Sequence, residues 1–283
     1  MIGRALTRLI DAQAGWARPF GDWLHGLVAA IFGRMVTVRS FLNGTWLGHP
    51  LHAVMTDVPI GALTVVIVLD ILGQPVGADV ALVLGILAMF ASAVIGFADY
   101  SVTDGQARLR ATVHSTLMIV ALVLYLVSLA LRAGSPVDRT VPIALSIVAY
   151  LVLSAGGFVG GDVASVLGNM VDRHAWRPTG AKWAPLQVDD VPEGQLVKAK
   201  VGAQNLVLVR QGETILALHD QCAHAGGPLS GGRIVDGQVE CPWHQSRYEL
   251  TTGQRRRGPT VYDQPTYEVR PAEAGGYEAR RTS

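Results

Sequence analysis

Four stretches of the chain are nearly unbroken apolar runs: Ala53 to Leu72, Val80 to Ala98, Thr112 to Leu131 and Val141 to Gly161. Each approaches the roughly 20 residues that a helix needs to cross a hydrocarbon core. None shows the polar face that a helix of a soluble bundle turns to water. The connectors Gly73 to Asp79 with Pro75, Asp99 to Ala111, and Arg132 to Thr140 with Gly134 and Pro136 have turn compositions. An antiparallel four-helix transmembrane bundle is predicted. Before the first run only Trp23 to Phe32 is apolar, too short to span and without a small-residue cleavage site after it, so it reads as an interfacial helix with His25 at its polar boundary. After Trp183 the pattern changes to short β-branched or alternating runs between turns: Gln195 to Val201, Asn205 to Arg210, Ile215 to Leu218 and Gln238 to Glu240. The fold expected is thus an α + β multidomain chain, a helical membrane bundle followed by an all-β antiparallel sandwich.

Composition sharpens this division. Of 283 residues, half are hydrophobic and 16% charged, and the segment Ala53 to Gly161 contains no Lys and no Glu. The expected organisation is an interfacial helical segment over 1-48, the transmembrane domain over 49-172, a linker over 173-183 and a soluble domain over 184-283. A net charge of +1 without a basic patch excludes a nucleic-acid partner; the partner of the apolar half is the lipid bilayer. Four spans put both chain ends on one side. That side receives Arg4, Arg8, Arg18, Arg34, Arg39, Arg108 and Arg110, against Arg132 and Arg139 opposite, which makes it cytoplasmic. The localisation expected is a bacterial inner membrane, multi-pass, with the soluble domain in the cytoplasm.

The soluble half holds both cysteines. It reads Cys222-Ala-His224, sixteen residues, then Cys241-Pro-Trp-His244. Two cysteines do not make a disulfide framework, so metal ligation is the expected use. A Cys2His2 set also suits zinc. Zinc fingers, however, group their histidines after their cysteines, whereas each hook here contains one of each. The pattern resembles the Rieske family, with Gly226, Gly227 and Pro228 after the first hook and Tyr248, Gly253 and Gly258-Pro259 after the second. The resemblance extends from Trp183 to the end of the sequence. It implies a 2Fe-2S cluster with Cys222 and Cys241 on one iron and His224 and His244 on the other. Neutral imidazoles reduce the negative charge at the second iron and ease its reduction, and their outer nitrogens make the histidine edge the expected exit for electrons.

The extra cysteines of bc-type centres are missing, so the centre resembles the ferredoxin type. Ser246 and Tyr248 stand where the high-potential subtype places hydroxyl donors to sulfur, and such donors stabilise the reduced state. The expected potential lies between the extremes of roughly −150 and +300 mV for these centres.

In the membrane half, Gly48-His49-Pro50-Leu51-His52 with Asp57 and Pro59-Ile60-Gly61 resembles a family of uncharacterised four-span bacterial membrane domains sometimes fused to Rieske modules. His52 and His114 begin parallel spans one and three, so they lie at similar depth. Such a pair can ligate haem b, flank a quinone, or simply hydrogen-bond to Asp57, Asp99 or headgroups; His49 and His174 are alternates. Asp57 and Asp70 lie within the first span, where a charge is costly. The function expected is a membrane-anchored electron carrier between a cytoplasmic donor, such as a reductase or respiratory component, and a membrane acceptor, haem or quinone. A redox sensor and the electron-transfer component of an oxygenase system are the alternatives. Catalysis by the chain alone is not expected: an oxygenase needs a large mononuclear iron domain after the cluster, and only the short stretch Gln245 to Ser283 follows His244.

Overall fold

The computed structural model of the chain describes residues 2–134, 138–175, 182–273 and 275–282, with side chains from Ala5 onward. Pro136, the Arg4 side chain and residues 176–181 of the expected linker lie outside the described residues. Among the described residues seven α-helices come first: α1 (Ile2–Asp11), α2 (Ala14–Arg34), α3 (Val36–Asn43), α4 (Leu51–Ile71), α5 (Pro75–Tyr100), α6 (Gly105–Gly134) and α7 (Thr140–Ser165). Strands follow, among the described residues β1 (Ala184–Gln187), β2 (Val197–Val201), β3 (Gln204–Gln211), β4 (Thr214–His219), β5 (Arg233–Val235), β6 (Gln238–Glu240), β7 (Arg247–Glu249), β8 (Arg255–Arg257), β9 (Thr266–Pro271) and β10 (Tyr277–Arg281). The chain divides into two compact units, Met1–Val36 with Leu51–Gly168, and Thr37–Pro50 with Asn169–Ser283.

In the first unit α4 to α7 are long and apolar enough to cross a membrane. They run past the expected apolar stretches, because a helix needs its backbone bonds and not an apolar side chain to continue: α5 starts at Pro75, and α6 starts at Gly105 inside the expected connector. Pro59 sits inside α4. Val65, Leu84, Leu87, Val123, Leu151 and Phe158 stay exposed on the outside of the bundle, as lipid-facing positions do. The expected interfacial segment is the 21-residue α2, which exposes Trp16, Phe20, Trp23, Leu27 and Ile31.

The four spans form two equivalent hairpins. Aligning α4 with α6 so that His52 falls on His114 pairs the buried Leu63 with Tyr125 and Val66 with Ser128. Aligning α5 with α7 in the same way pairs Leu82 with Ser146, Gly85 with Ala149, Met89 with Leu153, and Ser92 with Gly156, all buried. The same positions face inward in both hairpins, although few residue types repeat. Opposite charges occupy the equivalent pair Asp70 and Arg132, which meet at 2.5 Å with both side chains buried.

In the second unit, β1-β10-β9-β4-β3-β2 close into a barrel and β5-β6-β7-β8 form a separate antiparallel sheet. The expected sandwich is therefore a barrel with a smaller sheet beside it. The run Leu206-Val207-Leu208-Val209 in β3 is apolar throughout because both faces are covered: Leu206 and Leu208 enter one core and Val207 and Val209 the other, which also contains Cys222 and Cys241. The strap Thr37–Pro50 belongs to this unit. The N–H of Gly258 donates to Ser40 Oγ at 2.8 Å, Thr45 Oγ1 donates to the Thr260 carbonyl at 2.9 Å, and Arg255 Nε donates to the Thr45 carbonyl at 2.7 Å.

Candidate metal centre

Each cysteine hook is a tight turn closed by its own backbone. The Gly226 N–H donates to the Cys222 carbonyl at 2.9 Å and the Cys222 N–H to the Gly227 carbonyl at 2.9 Å; the Gln245 N–H donates to the Cys241 carbonyl at 3.1 Å and the Cys241 N–H to the Ser246 carbonyl at 2.8 Å. Gly226, with φ of 86°, supplies the left-handed residue that the first turn requires, and Gln245 adopts φ of 66° in the second. Gln264, buried between barrel and hook, accepts the Ala223 N–H at 3.0 Å and donates to the carbonyls of His219 at 2.6 Å and Gln221 at 2.7 Å.

The hooks bring four side chains together as two pairs. The Cys222 and Cys241 sulfurs are near enough to perturb each other electrostatically, and the His224 and His244 rings stand 5.0 Å apart between centroids at 86°. A tetrahedral zinc ion takes all its donors on one ion, whereas a diiron cluster takes two donors on each of two irons; one pair of sulfurs and one pair of imidazoles suit the second. Backbone N–H groups of His224 and Ala225 point at Cys222, and those of Trp243 and His244 at Cys241, as thiolates and sulfides require. A Cβ on Gly227 would lie 2.9 Å from the Trp243 ring and 3.0 Å from Cys241 Sγ, so the space around the sulfurs depends on that glycine. The donor set and its cradle fit a 2Fe-2S cluster.

Electrostatics favour the ligating forms of Cys222 and His224. Burial works against a Cys222 thiolate, but hydrogen bonds from Cys241, Tyr248 and the hook backbone outweigh it and bring the thiol down to about 7. Cys241 is pushed up by the neighbouring Cys222 sulfur and by burial. Burial, then the charges of His244, Arg173 and Arg39, take His224 down to about 3, which keeps the imidazole neutral. The Tyr248 hydroxyl lies 3.1 Å from Cys222 Sγ. Ser246 Oγ, fully buried, accepts the Thr260 N–H at 3.2 Å, leaving its own proton for another acceptor.

One expectation is corrected here. The histidine edge is not open along its length: His224 is 4% exposed, whereas His244 is half-buried between the exposed Trp243 and Gln245.

The membrane histidines divide. In the first unit, His52 and His114 have ring centroids 6.2 Å apart at 82°. His52 Nδ1 bonds the Ser92 carbonyl at 3.1 Å and His114 Nδ1 bonds the Gly156 carbonyl at 2.8 Å. Carbonyls only accept, so each bond places the proton on Nδ1 and leaves the Nε2 lone pair available. Main-chain carbonyls thus take the part expected of Asp57 or Asp99. His49 and His174 belong to the second unit, where His174 Nε2 bonds the Gln221 carbonyl at 2.9 Å. The residues that sequence reasoning missed are Gln264, Thr260, Arg39 and Arg173; no motif marks them, because their roles come from chain segments distant in sequence.

Comparison with known proteins agrees with both halves. The model of the Rieske [2Fe-2S] domain matches residues 182–268, and that of a predicted membrane protein domain (DUF2231) matches residues 48–173. The ferredoxin subunit of anthranilate 1,2-dioxygenase from Burkholderia cepacia is 33% identical over 93 residues, 32% of this chain and 86% of that protein. The ferredoxin component of the naphthalene 1,2-dioxygenase/salicylate 5-hydroxylase systems from Ralstonia sp is 34% identical over 83 residues, 29% of this chain and 80% of that protein. A solved structure of a complex of reduced oxygenase and oxidized ferredoxin in carbazole 1,9a-dioxygenase contains a chain 27% identical, with a TM-score of 0.31, over 36% of this chain and 96% of that one.

Proposed function

We propose, from the premise that the chain belongs to the Rieske [2Fe-2S] family through residues 182–268, that it relays single electrons between a cytoplasmic reductase or respiratory component and an acceptor in the bacterial inner membrane. Cys222, Cys241, His224 and His244 hold the cluster, which supplies a one-electron redox couple. The observation that carries this reading is the arrangement of those donors as two pairs in an N–H-lined cradle. Tyr248 and Ser246 direct hydroxyl protons toward sulfur. His244 and Trp243 form the exposed edge on which a protein partner docks. Low-temperature electron paramagnetic resonance of the detergent-purified, dithionite-reduced chain tests the assignment: a Rieske signal is expected, and iron-free protein containing zinc would overturn it.

The membrane acceptor is a haem b or a quinone at His52 and His114. Two equivalent hairpins supply the two imidazoles, each fixed through Nδ1 to its own hairpin and each with Nε2 available. This is the hydrogen-bond pattern of metal-ligating histidines, and it favours haem. A pyridine haemochrome assay on the same preparation, before and after haemin addition, decides: one haem per two cluster irons, lost in His52→Ala and His114→Ala, supports it, and co-purified quinone without haem leaves the other ligand. A second reading, the electron-transfer component of an oxygenase system, is supported by the ferredoxin relatives. Stimulation of an added oxygenase at turnover rates would favour it over the membrane acceptor.

A further inference from the structure

We propose that Arg39 and Arg173, carried by segments outside the Rieske module, compensate the charge that an electron brings to the cluster and thereby set its potential. The inference goes beyond the carrier reading and rests on it.

Arg39 lies in the strap Thr37–Pro50 and Arg173 in the segment that begins at Asn169, so both flank the membrane spans in sequence yet pack with the soluble unit. The strap is fixed to the loop Gly258–Thr260 by the Ser40 and Thr45 bonds described above. The other segment is fixed by Tyr262, whose hydroxyl donates to the Met170 carbonyl at 3.1 Å, and by His174 on the Gln221 carbonyl at 2.9 Å. Both contacts lie close to the cluster loops. Arg39 adjoins Ser40, which holds the Gly258 N–H, and Arg173 adjoins His174, which holds the carbonyl of Gln221 beside Cys222.

Arg39 is 6% exposed, and its Nε and Nη2 are buried without a hydrogen-bond partner among the described residues, as is Nε of Arg173. The charge that acts on Arg39 is that of Arg257, which has the same sign. A buried cation facing another cation is costly unless an anion answers it, and the ion pairs found among the described residues do not include Arg39 or Arg173. Two ferric ions, two sulfides, two thiolates and two neutral imidazoles sum to no net charge. An electron from a one-electron donor therefore adds a full negative charge under His224. Guanidinium groups held there attract it through a medium far less screening than water, so the reduced state gains and the oxidised state does not.

Potentiometric titration of the full chain in detergent, followed by the cluster's paramagnetic signal, tests this. Arg39→Gln is expected to shift the one-electron equilibrium toward the oxidised form at least tenfold, about 59 mV downward, with Arg39→Lys within threefold of the parent. Arg173→Gln is expected to shift it the same way by less, its side chain being less buried. Both glutamine variants titrating within twofold of the parent, at unchanged cluster content, would overturn the proposal; if Arg39→Gln fails to assemble the cluster, Arg173→Gln decides alone. A parent protein without a Rieske signal would instead end the carrier reading, so the two failures are distinguishable.

Discussion

The Tyr248 hydroxyl stands 3.1 Å from Cys222 Sγ, fully buried in the core that holds both cysteines. Tyr248 lies in β7, which pairs with β6, and β6 leads directly into Cys241. One short sheet therefore positions a ligand of one hook and the hydrogen-bond donor to the ligand of the other. Burial pushes the phenol well up, as do the charge of Cys222 and the bond to its sulfur, so the proton stays on oxygen and is directed at sulfur. A donor to a sulfur ligand stabilises the more negative reduced state. Tyr248→Phe and Ser246→Ala are each expected to lower the midpoint potential by on the order of 50–100 mV, the equivalent of one hydrogen bond to a charged group. Titration of the paramagnetic signal in the two variants measures this, and an unchanged midpoint in both would remove the donors from the account.

Gly227 is required for space rather than for conformation, because a Cβ there meets the Trp243 ring and Cys241 Sγ at 2.9 and 3.0 Å. Gly227→Ala forces either Trp243 or the second hook to move. The expected result is a several-fold loss of iron and acid-labile sulfide per chain, with the barrel's circular dichroism retained. Full cluster occupancy would show that Trp243, which is mostly exposed, simply swings aside.

The pair Asp70 and Arg132 is bidentate, with bonds of 2.5 and 2.8 Å, and lies at the end of the hairpins remote from His52 and His114. Removing one partner of a buried ion pair costs up to about 3–5 kcal/mol, of which Asp79, 3.2 Å from Arg132 Nη1, offsets a part here. Asp70→Ala is expected to lower the detergent unfolding midpoint markedly, while the double variant Asp70→Leu/Arg132→Leu recovers most of the loss. Equal loss in the double variant would place the stabilisation elsewhere, for example in the neighbouring Asp79 with Arg139, joined at 2.6 Å.

The cluster motif was legible because its chemistry is local: each hook contains its thiolate and its imidazole within a single turn, Cys222 to His224 and Cys241 to His244, and no tertiary knowledge is needed to see two metal-binding turns. The four spans were legible for a similar reason, since the bilayer imposes length and apolarity on each segment separately. The hairpin equivalence was not. It preserves which positions face inward while Leu63 answers to Tyr125 and Leu82 to Ser146, so comparison of residue types along the chain has little to detect.

What the linear order of residues determined by itself is the inventory: spans by hydropathy, strands by alternation, and the proposed ligands by the spacing of sulfur and imidazole. Only the tertiary structure decided which groups share one environment. It buried His224 while leaving His244 half-exposed, gave His52 and His114 carbonyl partners from separate helices, and brought Arg39, from the far side of all four spans in sequence, into the unit that holds both cysteine hooks. The physical reason is that ligation and membrane insertion are written in neighbouring residues, whereas burial and electrostatic potential are properties of everything packed nearby, whatever its distance along the chain.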